Sequence, residues 1–315
     1  MSRKRLIVII GLWLASSALS AEAVTLRYSL QEGTELTYRV QVASTSRMSG
    51  MRDEKIEIRT RINQTFRLKV TKVLADKKME IEQEILAGKL TMTAGGEEVE
   101  GPLPTGKRKF RVSPLGRVTF VAKQSAETAE SVPHCEEHGE CTEAGGSSPQ
   151  GFFGPGGEAI QVDFLMPSIF VLFPEKEVGP GDIWENEIEL KSWKHPLFLS
   201  EHFKPTVLKV RSELLELTQH NNRECAHIRT NWDIPLSPEG SASISPSNVE
   251  VAGKVRGEAE WYFDYRKSFT CAAEGSVQVF MKASGESPWE TEEPRQAETV
   301  MSVMKANINT LLVGK

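Results

Sequence analysis

The chain has 315 residues, 38 Lys and Arg against 43 Asp and Glu, a formal net charge of −5, and 39% hydrophobic residues. The acidic balance argues against nucleic acid and an anionic membrane surface as electrostatic partners. The apolar content excludes a disordered polymer, and the length suits two modest domains or one large β domain.

The N-terminus carries Arg3, Lys4 and Arg5, then the apolar run Leu6 to Leu14, then small residues ending Ala21-Glu22-Ala23. This is the layout of a secretory signal peptide with an A-x-A cleavage site. The apolar run falls short of the about 20 residues that a spanning helix needs, and no later stretch reaches that length. The expected mature chain starts near Val24, has 292 residues, a net charge of −7 and no transmembrane segment. It is expected to be exported to the periplasm or cell surface of a bacterium.

The next segment reads as antiparallel sheet. In VTLRYSLQEGTELTYRVQVAS, Leu26, Tyr28 and Leu30 alternate with polar neighbours, Gly33 makes a turn, and Leu36, Tyr38, Val40 and Val42 resume the alternation. A period of 2 puts one face in a core and the other in water. The pattern continues through Ile56, Ile58 and Thr60, then Phe66, Leu68 and Val70, a turn at Ala75-Asp76-Lys77, and Met79 and Ile81. KRKFRVSPLGRVTFV closes the block as a hairpin around Pro114-Leu115-Gly116.

Residues 122–160 lose this rhythm; Gly, Ser and Pro dominate from Pro133 to Gly157, which is loop composition. The octet HCEEHGEC, residues 134–141, lies inside it. Cys135 and Cys141 are within easy reach of each other as a local disulfide. The same residues offer a zinc alternative, with His134, Cys135, His138 and Cys141 as ligands. Adjacent His134 and Cys135 make tetrahedral closure awkward, so the staple is preferred and no metal or other cofactor is expected.

FLMPSIFVLFP, Phe164 to Pro174, is almost wholly apolar. Two readings apply: a buried strand or short core helix, or an apolar wall over a ligand cavity built from Phe164, Leu165, Met166, Ile169, Phe170, Leu172 and Phe173. The strand pattern then returns. EVGPGDIWENEIELKSW has the form of the segment around Gly33, long strands follow with a turn at His220-Asn221-Asn222, and Ala259, Trp261 and Phe263 share one face. The tail ETVMSVMKANINTLLV is ambiguous between helix and strand, and its Thr and Asn content favours strand.

Fold class is therefore mainly all-β: antiparallel curved sheets as two related lobes or one large half-barrel. The expected organisation is a signal peptide over 1–23, an N-terminal β lobe over 24–121, a loop or linker over 122–160 and a C-terminal β lobe over 161–315. Cys225 and Cys271 fall on separate predicted strands. With four cysteines in an oxidising compartment, 135–141 with 225–271 is the simplest of the three pairings.

The segments LRYSLQEGTELTYRV, VSPLGRVTFV, FPEKEVGPGDIWENE and GEAEWYFDYRKSFT resemble a family of exported bacterial β-rich proteins of unknown function. The resemblance brings no catalytic residues. A long curved antiparallel sheet behind a signal peptide also looks like the half-barrels that carry lipids or lipoproteins across the periplasm.

No G-x-S-x-G, H-E-x-x-H or phosphate-cradling loop is present, so catalysis is not expected. The function expected is a non-enzymatic envelope binding module for an apolar or lipid-like ligand. One alternative is a structural or assembly protein that binds envelope proteins through sheet edges. Another is a hydrolase with an unrecognised site.

Overall fold

The computed structural model describes residues 23–49, 56–103, 105–120, 169–189, 207–236, 250–284 and 300–314. The expected signal peptide through residue 22, the octet with His134, Cys135, His138 and Cys141, and Phe164, Leu165 and Met166 lie outside the described residues. The described chain is all-β, with twelve antiparallel strands in one open curved sheet. In the first half these are β1 (Glu35–Ser49), β2 (Ile56–Val73), β3 (Met79–Ala94), β4 (Glu97–Pro102), β5 (Gly106–Val112) and β6 (Val118–Phe120). In the second half they are β7 (Ile183–Glu189), β8 (Val207–His220), β9 (Arg223–Leu236), β10 (Glu250–Asp264), β11 (Phe269–Ser284) and β12 (Val300–Gly314).

The order across the sheet is β6-β5-β3-β2-β1-β12-β11-β10-β9-β8-β7. The first and last long strands, β1 and β12, pair from Thr37 to Ser49 and join both halves in one sheet. The C-terminal segment is thus a strand, and of the two architectures expected the single large sheet is the one formed. β5 and β4 share one edge of β3, β5 along Met79–Ile85 and β4 along Lys89–Ala94.

Parity explains the two faces. On β1, Leu36, Tyr38 and Val40 are buried while Arg39 and Gln41 are exposed; Phe66, Leu68 and Val70 on β2 do the same. The predicted turns take a left-handed backbone: Asn221 and Asn222 (φ 51° and 60°) between β8 and β9, which asparagine tolerates, and Lys77 (φ 62°) after β2. The segments around Gly33 and Gly181, alike in sequence, are also built alike. Each glycine has positive φ, and its N–H donates to a strand carbonyl, Val70 O at 2.8 Å and Leu214 O at 2.7 Å. Register shifts interrupt the pairing at Thr65/Phe66 in the middle of β2, and at Val70/Lys72, Leu214/Glu216 and Tyr262/Phe263 nearer the turn ends that form the base. Such insertions raise the local twist and bend the strand.

The bent base is closed by two segments without regular structure. Val24–Leu30 and Ile169–Val178 cross the inner face and bridge each other at Val24 and Val178. The second segment, here the strap, is neither strand nor helix, in contrast to the sequence expectation. Its backbone groups are instead met by side chains and turn carbonyls. The Phe173 N–H donates to Leu115 O (3.0 Å) in the β5–β6 turn, and Trp184 Nε1 on β7 donates to Leu172 O (2.8 Å). Since β6 and β7 end the strand order, adjacent strap residues hold the two edges of the sheet at its base.

Higher on the inner face the Trp232 ring lies over Gly257, where an added Cβ would sit 2.1 Å from ring carbons. Gly257→Ala is expected to destabilise the protein by about 1–3 kcal/mol, the usual range for overpacking. Urea unfolding checks this, and the cost should largely vanish in a Trp232→Leu background.

Candidate functional site

The base core forms around Tyr28. Its ring stacks on Phe173 (5.0 Å between centroids) and meets Phe170 and Phe263 edge-on at 5.4 and 5.1 Å. Its hydroxyl accepts the Val171 N–H (3.0 Å) and donates to Thr270 Oγ1 (3.4 Å), which donates in turn to Ile169 O (2.7 Å). Burial pushes the Tyr28 phenol well above its usual range, against the pull of those hydrogen bonds, so it stays protonated and able to donate. Tyr38 donates to Thr270 O (2.9 Å), and burial raises its pKa as well.

Ile169, Phe170, Leu172 and Phe173, four of the seven apolar residues singled out as a ligand wall, are therefore buried parts of this core. The free space beside them, among Tyr28, Leu36, Leu68, Ile81 and Phe269, is about 10 Å³. That is the size of one water site and far too small for an acyl chain. As placed here, these residues plug the base.

The inner face continues above the plug. Register sets out one transverse row of inward residues: Gln64, Val40, Thr310, Ala273, Trp261, Ile228 and Leu214 on β2, β1, β12, β11, β10, β9 and β8. All seven are buried, yet two carry polar atoms without a hydrogen-bond partner: both amide atoms of Gln64, and Trp261 Nε1. A buried polar group left unpaired costs about 1–3 kcal/mol. Gln64 is 2% exposed and stands on the parity of Phe66 and Leu68, where the pattern calls for an apolar residue.

Beyond a row of Ser212, Thr230, Ala259 and Gly275, where the two buried hydroxyls bond to each other at 3.2 Å, the rows form a wall. Val277 and Val279 on β11, Val255 and Gly257 on β10, Trp232 on β9, and Leu208 and Val210 on β8 share the inward parity. Leu208, Val210, Ile188 and Val255 make a second apolar cluster, joined to the base core through Trp232, which packs against both. On the β1–β3 side the same rows turn more polar, with Ser44 and Thr60 opposite each other. The site is thus an apolar wall on the β7–β11 side standing on a floor that holds two unpaired polar groups.

Cys225 on β9 and Cys271 on β11 are both buried at the base, with Sγ atoms 3.7 Å apart. A disulfide has S–S near 2.05 Å, so the expected bond is not formed here and the pair is two thiols in contact. Donation to the Cys271 sulfur, then burial, pushes the Cys225 thiol far up. On the outer face His220, Tyr262 and His227 stack in a column, with His227 between Glu216 (3.4 Å) and Glu260 (3.1 Å). Burial first, then the neighbouring His227, lowers the His220 pKa. Among the described residues no group of three or more His, Cys, Asp or Glu is placed to hold a metal ion. No described helix is long and apolar enough to cross a membrane.

No family model and no curated protein matches the chain. Among solved structures it is similar to lipovitellin, in a structure of that protein's lipid–protein interactions, with a TM-score of 0.40 and 8% identity. That likeness covers 90% of this chain and 25% of lipovitellin, so the chain spans about a quarter of the larger protein. A second likeness is to DynF of the dynemicin biosynthesis pathway of Micromonospora chersina, with a TM-score of 0.21 and 6% identity. It covers 92% of this chain and 85% of that one. Neither likeness is close enough to carry an argument about function.

Tyr28→Phe keeps the ring packing but leaves the buried Val171 N–H without an acceptor. It is expected to cost about 1–3 kcal/mol in thermal or urea unfolding.

Proposed function

We propose that this protein is an exported, non-catalytic binding module that holds an amphipathic, lipid-like ligand on the inner face of its sheet. The observation that carries the reading is the unpaired Gln64 amide buried at the floor of an apolar wall. A ligand with a polar head and an apolar tail satisfies both features: the head bonds to Gln64 or to Trp261 N–H, and the tail lies along Val277, Val279, Trp232 and Val210. Gln64 and Trp261 are four strand spacings apart, roughly 19 Å along the sheet, so each serves as a separate anchor.

Binding of partner proteins through sheet edges is less favoured. β7 carries the exposed Glu185 and Glu187, and a charged edge discourages strand addition.

The test uses a neutral probe, pyrene-labelled monoacylglycerol, titrated into the purified protein. Gln64→Leu removes the orphan polar group, so it should raise stability by about 1–3 kcal/mol while weakening probe binding. Probe affinity unchanged in both Gln64→Leu and Gln64→Leu/Trp261→Phe, or no binding by the parent protein, would reject the reading.

Export also bears on the cysteines. In an oxidising compartment the neighbouring Cys225 and Cys271 are expected to close a disulfide, adding about 4 kcal/mol by loop-closure entropy. Peptide mapping without reductant of protein recovered from the envelope should find the 225–271 link. Free thiols at both positions in that sample count against an oxidising location.

A further inference from the structure

The outer face holds a second concavity that the inner-face reading leaves unused. Residues of β12, β1, β2 and β3, with β4, surround a groove of about 640 Å³ whose lining includes Thr45, Arg59, Arg61, Thr91, Thr93 and Lys305. That volume lies in the range of small-molecule sites. Apart from Ser44 and Thr60, which also border it from the inward parity, the lining has the parity opposite to the core: Thr45 pairs with Arg59 on one side and Lys305 on the other, and Ala43 pairs with Arg61 and Asn307.

The small side chain of Ala43 and the threonines leave depth at the floor, while cations stand on both sides. Arg59 and Lys305 are two strand spacings apart, roughly 10 Å, and Arg59 and Arg61 follow each other on one face at roughly 7 Å. The charge is poorly neutralised. Glu57 serves both Arg47 (2.9 Å) and Arg59 (2.7 Å), Glu98 is the one carboxylate in the lining itself, and Arg61 and Lys305 have no ion pair or hydrogen bond among the described residues. A molecule with net charge −5 thus concentrates unpaired positive charge in one polar groove. The lining suits hydroxyl and oxyanion chemistry rather than an acyl chain. Guanidinium forks fit phosphate in bidentate geometry, and a lysine opposite adds a point charge.

We infer that this groove binds a multivalent oxyanion of phosphate type, whether a free phosphate compound or the headgroup of a phospholipid. The two sources share the same contacts: Arg61 and Lys305 to the oxyanion, with Arg59 beside them and the hydroxyls of Thr45, Thr91 and Thr93 around it. The site is independent of the inner-face ligand, and Gln64→Leu should leave it unaffected.

Two arms separate the sources. Calorimetric titration with pyrophosphate at low salt reads free phosphate. Co-sedimentation with phosphatidylcholine vesicles containing a minority of phosphatidic acid, against phosphatidylcholine alone, reads the headgroup. Binding in either arm should weaken about tenfold or more in Arg61→Ala/Lys305→Ala, and Arg61→Lys should recover part of it. The control Lys176→Ala/Lys209→Ala removes two exposed charges elsewhere and should bind like the parent. All four positions are exposed, so unfolding curves should be unchanged and a loss of binding cannot be a folding defect. Loss in the pyrophosphate arm assigns a soluble phosphate ligand, and loss in the vesicle arm alone assigns a headgroup. Binding in neither arm, or equal binding by parent and double variant, overturns the inference.

Discussion

The strap across the base is the constraint on which the rest of the molecule depends. An open antiparallel sheet of this size tends to twist into a propeller with two free edges. Here Leu172 and Phe173, adjacent in sequence, take hydrogen bonds to β7 and to the β5–β6 turn, the two ends of the strand order. Arg27 reinforces the strap by donating to Pro174 O and Glu175 O. With both edges held, the base curls around a closed aromatic core.

Tyr28 makes that closure specific. Its ring is packed by Phe170, Phe173 and Phe263, and its hydroxyl joins a chain of hydrogen bonds through Thr270 to Ile169. Apolar packing would accept many strap positions, since burial is not directional. A buried hydroxyl that both accepts and donates accepts one. The bulges near the base supply the complementary bend, so curvature and strap support each other.

Above the base the two faces divide the chemistry. The inner face carries valine, leucine and tryptophan on the β7–β11 side, interrupted by the unpaired amide of Gln64. The outer face of β12, β1, β2 and β3 carries arginine, lysine and threonine around a groove. Both arise from one alternation, because a strand that points Val40 and Val42 inward must point Gln41 and Ala43 outward. The two sites proposed above therefore lie on opposite faces of one sheet.

Much of the fold was legible in the residues alone. Alternation of Leu36, Tyr38 and Val40, or of Ala259, Trp261 and Phe263, specifies a strand with one buried face, because the side-chain period in a strand is 2. The turns at Asp76-Lys77, Pro114-Gly116 and Asn221-Asn222 were legible for the same local reason. The form shared around Gly33 and Gly181 also pointed to the turn that both adopt. The candidate site was less legible. Phe170 and Phe173 read equally well as cavity wall or plug, since an apolar side chain does not say whether its partner is a ligand or Tyr28. Gln64 broke the apolar parity of its strand, a signal present in the sequence whose meaning needed the row of neighbours around it. The pairing of β1 with β12, the approach of Cys225 to Cys271 across an intervening strand, and the meeting of Arg59, Arg61 and Lys305 around Ala43 join residues far apart in the chain. Local propensity determined which residues form strands and which way each faces. Only the long-range register, fixed by closing the sheet over its strap, decided which faces meet and what chemistry they bring together.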